Sequence, residues 1–286
     1  MSEMHGTASS TVGAPPHGPG KSPGRGRTAG LPLTPVRRVA LVLGVPACLA
    51  LTAFAGLNIA AQIGKGSFRF SHTFPAGTGR LTVSVSSGDI ALLQVAGGQA
   101  KLAGSARYSL VRPGLTERTS RDSATLGYYC SLPVGDCGMN ATVSVPAGTA
   151  VTVTTGGGNA TATGTTGDVT LSTGGGDVTA DHVTGALDLH TNGGNIRASA
   201  VTGIRLSADT GGGDIEITFA RVPRDVRVAT DGGNVTIVVP RGTAQYHVSA
   251  STNGGDVTDT VPLNTSSPNG ITATSGGGNI TIRQAS

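Results

Sequence analysis

Thr173-Gly174-Gly175-Gly176-Asp177-Val178 and Thr191-Asn192-Gly193-Gly194-Asn195-Ile196 are two copies of one stretch that the chain carries seven times. The other copies open at Thr155, Thr210, Thr230, Thr252 and Ser275 and reach Asn159, Asp214, Asn234, Asp256 and Asn279. Successive Asn or Asp positions lie 18, 18, 19, 20, 22 and 23 residues apart. A motif recurring at a period of about 20 residues marks a solenoid, in which each repeat buries its apolar face only against its neighbours.

The flanks of the motif say which solenoid. With the Asn or Asp as position zero, positions −8 and −6 are apolar, as in Val169/Leu171 and Leu187/Leu189. Positions +1 and +3 are apolar too, as in Val178/Ala180 and Ile196/Ala198, while Val257/Asp259 breaks the rule. A period of two on both sides of a glycine corner reads strand, corner, strand. A helix would show a period near 3.6 residues, and paired glycines would oppose it. The expected fold class is all-β, a parallel β-helix or solenoid with glycine corners.

Parity assigns the faces. The Thr at −4 shares the parity of the core positions, so its methyl should face inward and its hydroxyl should satisfy a backbone group of the corner. The glycines at −2 and −1 are expected to supply positive φ. Position zero points outward, which places Asn159, Asp177, Asn195, Asp214, Asn234, Asp256 and Asn279 in one column. Read in chain order, the column alternates amide and carboxylate. At a strand spacing of about 4.8 Å, stacked aspartates would repel, whereas an amide can donate to the carboxylate beside it. A plain preference of Asn and Asp for tight corners explains the column equally well.

Composition agrees with this architecture. The 286 residues hold 46 Gly, no Trp and 3% aromatics, which suits coils filled by Val, Ile, Leu and Ala. The formal charge of +4 comes from the first 38 residues, where Lys21, Arg25, Arg27, Arg37 and Arg38 face Glu3 alone. From Lys65 onward 15 basic residues meet 15 acidic ones, so no basic stripe speaks for nucleic acid.

Residues 1–38 read as a disordered, basic cytoplasmic tail. Residues 39–64 contain no charge and are mostly apolar, long enough to span a bilayer as one transmembrane helix. Arg37 and Arg38 immediately before it put the N-terminus inside and the rest of the chain outside. A cleaved signal peptide is the rival reading. Residues 65–80 then form an entry segment. Residues 81–286 form an extracytoplasmic β-solenoid, with irregular coils at about 93–150. Gly88-Asp89-Ile90 in its first coil is a degenerate copy of the corner.

Chemistry is sparse. His182, His190 and His247 fall in or beside the repeats, yet no serine or cysteine occupies a recognisable nucleophile turn. No catalytic, cofactor-binding or metal-binding residue is assigned. Aspartates two coils apart are too far from each other to share a Ca²⁺ ion. Cys130 and Cys137, on a loop of an extracytoplasmic segment, are expected to pair as a disulfide. A metal pair is the alternative, without the CxxC or nearby His that a zinc site wants.

The Thr-x-Gly-Gly-Asn/Asp-Val/Ile repeats, the Val-Pro-x-Gly-Thr strands at Val145 and Val239, the Cys130/Cys137 loop and the single apolar anchor together resemble the bacterial putative-adhesin β-strand-repeat family. The resemblance runs from Leu81 to Arg283 and implies a β-strand-repeat fold with no catalytic residues to carry over. The functional expectation is a membrane-anchored cell-surface module, structural or adhesive, not an enzyme, with a C-terminal domain outside the bacterial membrane. Its partners would be cell-wall polymer or other surface proteins, with no nucleic acid, small-molecule substrate or cofactor. An accessory or regulatory component of a cell-envelope stress system is the alternative. A carbohydrate-active β-helix enzyme stands behind both.

Overall fold

In the computed structural model, residues 35–75, 77–130 and 136–286 are described. Most of the expected tail, residues 1–34, lies outside them. The chain is described from α1 (Pro35–Ile63), a helix of 29 residues that takes in the last residues assigned to the tail. Among the described residues no helix is long and apolar enough to cross a membrane. The expectation of a spanning helix over 39–64 is therefore not met there.

Among the described residues, α1 is followed by strands joined by turns and irregular loops. In chain order come β1 (Lys65–Thr73), β2 (Arg80–Val85), β3 (Ile90–Gln94), β4 (Lys101–Ser109), β5 (Gly114–Thr119), β6 (Ser123–Tyr129) and β7 (Gly138–Val145). Five coils follow: β8 (Ala150–Thr155) with β9 (Ala160–Thr163), β10 (Val169–Thr173) with β11 (Val178–Asp181), β12 (Leu187–Thr191) with β13 (Ile196–Val201), β14 (Arg205–Thr210) with β15 (Ile215–Phe219), and β16 (Asp225–Thr230) with β17 (Val235–Val239). The last two are β18 (His247–Thr252) with β19 (Val257–Asp259) and β20 (Gly270–Ser275) with β21 (Ile280–Gln284).

Each coil gives one strand to each of two sheets, of eleven and ten strands. Neighbouring coils are parallel and in register: Leu171 stands between Val153 and Leu189. Alternation does the folding. The inward residues Val169, Leu171 and Thr173 of β10 are buried while Thr170 and Ser172 between them are not. Leu81, Leu92, Leu171, Leu189, Ile217 and Ile237 are fully enclosed in one core shared by all coils. Burying such a side chain contributes roughly 1.5–3 kcal/mol, which stacking must supply because a single coil has no inside of its own.

Spatial order departs from chain order at both ends. The coil β20–β21 lies between β16–β17 and β18–β19, so the last coil in space is not the last in sequence. The coil β2–β3 likewise lies between β6–β7 and β8–β9. The irregular region is resolved by antiparallel pairing: β4 runs against both β1 and β7, and β5 against β6. Residues 65–73, expected as a mere entry segment, form the outermost strand of the first sheet.

The corner glycines correct a second expectation. Neither Gly193 nor Gly194 has positive φ. Gly194 is required for another reason: a Cβ there would fall on the carbonyl of Gly176 in the coil beside it. The same holds for Gly213 against Gly194 and Gly233 against Gly213, so the −1 glycines form a column in which only hydrogen fits. A Cβ on Gly193 would meet nothing within 4 Å.

Candidate functional site

Two features recur along the regular coils, one at the buried corner and one on the outward face beside the first sheet. The first is the corner itself. The Thr191 hydroxyl donates to the Gly176 carbonyl of the neighbouring coil (2.8 Å) and accepts from its own Gly194 N–H (3.1 Å). Thr173, Thr210, Thr230, Thr252 and Ser275 repeat the arrangement. These hydroxyls are held at the core edge, satisfy two backbone groups each, and are not offered to a ligand.

The second feature is the outward column. The Oδ1 of each member accepts from the backbone N–H of the next: Asp177 N–H donates to Asn159 (2.8 Å), Asn195 N–H to Asp177 (2.8 Å), Asp214 N–H to Asn195 (2.9 Å) and Asn234 N–H to Asp214 (2.7 Å). Asn279 then donates to Asn234 and Asp256 to Asn279. The spatial order thus places Asn234 beside Asn279, and the strict alternation read along the chain ends there. Two further members, Asp89 of the degenerate copy and Asn140, extend the column at its other end. Asn159 N–H donates to Asp89 and Asp89 N–H to Asn140. Asp89 carries the signal, since Gly88-Asp89-Ile90 is a worn copy of the motif. Asn140 follows Gly138-Met139 and has no paired glycine to betray it.

This geometry replaces the amide-to-carboxylate ladder. Among the described members one side-chain bond joins neighbours, Asn234 Nδ2 to Asp214 Oδ1 at 3.2 Å. What the position needs is an Oδ1 one methylene from the backbone, and Asn and Asp supply it equally.

Two residues further along each strand, a second outward row runs Thr142, Ala91, Thr161, Thr179, Arg197, Glu216, Thr236 across in-register strands. Arg197 and Glu216 pair at 2.8 Å. The opposite sheet shows Thr82/Ser84, Thr152/Thr154 and Thr170/Ser172 in adjacent strands. The surface is therefore a regular lattice of hydroxyl and amide groups at strand spacing, interrupted by charges that pair with each other. A shallow trough crosses it where Ala91 and Ala103 are small, between Arg69, Asn140 and Thr161.

Histidine, serine and aspartate side chains also meet on the coils. Asp181 accepts from Ser199 Oγ at 2.6 Å, and its other oxygen lies 2.7 Å from His182 Nδ1. The carboxylate sits between hydroxyl and imidazole, so the His182 ring does not meet the Ser199 hydroxyl directly. The Ser199 hydrogen bond, then His182, hold the Asp181 carboxyl below the ordinary range. His190 meets Asp209 on the next coil at 3.1 Å. Among the described residues no group of three or more His, Cys, Asp or Glu side chains could hold a metal ion. Cys130 and Cys137 form a disulfide with Cα atoms 6.2 Å apart.

Comparison with known proteins adds the following. Residues 57–283 match the family described as Toastrack DUF4097. Among solved structures, a putative adhesin from Bacteroides fragilis NCTC 9343 is 15% identical, with a TM-score of 0.38 and coverage of 77% of this chain and 97% of the other. A putative adhesin from Parabacteroides distasonis ATCC 8503 is 11% identical, with a TM-score of 0.40 and coverage of 77% and 97%. A putative cell adhesion protein from Clostridium sporogenes ATCC 15579 is 10% identical, with a TM-score of 0.37 and coverage of 77% and 100%. No curated protein matches the chain.

Proposed function

The chain belongs to the Toastrack DUF4097 family, and from that premise we propose that it is a membrane-anchored β-solenoid of the bacterial cell surface, a non-enzymatic structural or adhesive module. The observation that carries the reading is the in-register lattice of outward Thr, Ser and Asn on both sheets. Repeated donors and acceptors at about 4.8 Å suit a repetitive polar partner such as cell-wall polymer, met by many weak contacts whose effects multiply. The neighbouring coils hold the lattice rigid, so little freedom is lost on contact.

The anchor belongs to the same proposal. It rests on the uncharged run 39–64 behind Arg37 and Arg38. On α1, Val45, Leu49, Leu51, Phe54 and Ile59 are each 47–69% exposed, an apolar surface that needs a cover. The Asn58 amide donates to the Phe54 carbonyl at 2.8 Å, which satisfies a polar group inside the helix as lipid demands.

The test is sedimentation of the full chain, in vesicles, with purified insoluble cell wall. Retention is expected for the native chain. It should fall several-fold for the triple substitution Thr161→Val, Thr179→Val and Thr236→Val, which keeps shape and removes hydroxyls. Equal retention of both, or of neither, refutes the adhesive reading.

A further inference from the structure

We propose that the turn joining β4 to β5 is a lipid-contacting edge that fits an anionic bilayer surface. The inference rests on the anchor reading above and adds to it a second point of contact. In the turn, Leu110 and Val111 are 39% and 47% exposed; beside it Leu115 and Tyr129 are 51% and 50% exposed. They form one patch. Gly114 pairs with Tyr129 across β5 and β6, and the Tyr129 ring covers the place where a Gly114 Cβ would stand. Leu110 holds its position with φ of 64°, in the left-handed region that an L side chain disfavours, so the turn presents leucine outward against its backbone preference.

The patch is tied to the end of the apolar run. Leu110 N–H donates to the Gly64 carbonyl at 3.0 Å, and Gly64 directly follows α1. Where residue 63 lies at a bilayer surface, the turn lies there too. Cations surround it. The Arg112 guanidinium stands 5.7 Å over the Phe68 ring and 5.8 Å over the Tyr108 ring, and its Nε donates to the Tyr108 hydroxyl at 3.1 Å. Lys65 pairs with Asp136 at 2.9 Å, and Arg107 adds a further positive charge near the same carboxylate. Lys65, Arg107 and Arg112 outnumber Asp136 and Glu117, the latter held by His72 at 2.9 Å, and with exposed leucine, valine and tyrosine beside them they match the chemistry of the headgroup layer. Aromatic rings and snorkelling cations settle there, and anionic lipid attracts the charge. A protein partner would leave the bond to Gly64 and the cationic rim without a common cause.

The chain has no tryptophan, so one introduced indole reports its own surroundings. Full-length Leu110→Trp is placed in vesicles containing anionic lipid, with Val111→Trp as a second reporter and Leu263→Trp, at a site 61% exposed in the distant coil, as control. The two turn reporters should emit blue-shifted and be quenched by lipids brominated near the headgroup. The control should stay in water and be quenched by iodide. Adding Arg112→Glu should weaken the lipid quenching. Failure to float with vesicles overturns both the anchor and the contact. Flotation with both turn reporters in water overturns the contact alone. Blue-shifted emission without lipid quenching also overturns it, and points to a protein covering the turn.

Discussion

Replacing Gly194 by alanine adds one methyl group and should cost far more than the same change at Gly193. The neighbouring backbone decides. The new Cβ at position 194 would lie on the carbonyl of Gly176, close to Asp177 N, and neither can yield because both belong to a paired coil. Relief requires the coils to part at that corner. Parting stretches two bonds between them: Thr191 Oγ1 to Gly176 O at 2.8 Å and Asn195 N to Asp177 Oδ1 at 2.8 Å. Two lost hydrogen bonds amount to about 1–3 kcal/mol. Overpacking adds about 1–3 kcal/mol. The expected cost is therefore about 2–6 kcal/mol. At Gly193 a Cβ meets nothing within 4 Å and φ is not positive, so Gly193→Ala should stay within about 0.5 kcal/mol of neutral. Denaturant melts of the two variants give the difference directly. Equal costs would refute the claim that coil-to-coil approach, and not the local turn, selects glycine at position −1.

Further outcomes follow from the same geometry. Asn195→Asp keeps the Oδ1 acceptor but sets three carboxylates in a row with Asp177 and Asp214; it should cost about 0.5–1 kcal/mol at low salt and less at high salt. Asn195→Leu removes the acceptor of the Asp214 N–H and should cost about 1–2 kcal/mol at any salt; equal salt dependence in melts of the two would contradict this. In the denatured, unreduced chain, alkylation should find neither Cys130 nor Cys137, and both after reduction. Asp181, with its folded pKa depressed, contributes stability that is present above the ordinary carboxylate pKa of about 3.9 and lost as pH falls through the folded value. By NMR titration, Ser199→Ala should raise the Asp181 midpoint more than His182→Ala, and the reverse order would overturn the ranking of the two partners.

The repeat was legible because its causes are local. Period-two alternation around Thr191–Asn195 states strand, corner and strand without reference to the rest of the chain, and parity alone placed Thr191 inward and Asn195 outward. The reason for Gly194 was not local. It lies in the carbonyl of Gly176, eighteen residues back, and a residue's own φ preference could not disclose it. The order of coils was hidden for a similar reason. Spacings of 22 and 23 residues say that the coils lengthen, but the return of the chain after β19, through residues 260–269, decides which edge β20 takes. The antiparallel strands β1, β4 and β5 carry no glycine corner, so they read as an interruption. Asp259, the one polar residue among the +3 positions of the seven copies, was visible as an exception. Its place in the outermost strand of the first sheet explains it, because β19 has no further coil to pack against.

The column, the outward lattice and the turn near Gly64 all depend on in-register stacking in the stated spatial order, and paired cysteines test that order most directly. On a Cys48→Ser background, Ala229→Cys with Thr274→Cys joins neighbouring strands β16 and β20, where the two residues stand opposite each other. Ala229→Cys with Ser251→Cys would have to bridge from β16 across β20 to β18, about 9.6 Å at the spacing of two strands. Mild oxidation should close the first pair rapidly and leave the second open. Closure of the second pair with the first left open would mean that the coils stack in chain order, and the nine-membered column from Asn140 to Asp256 would not exist.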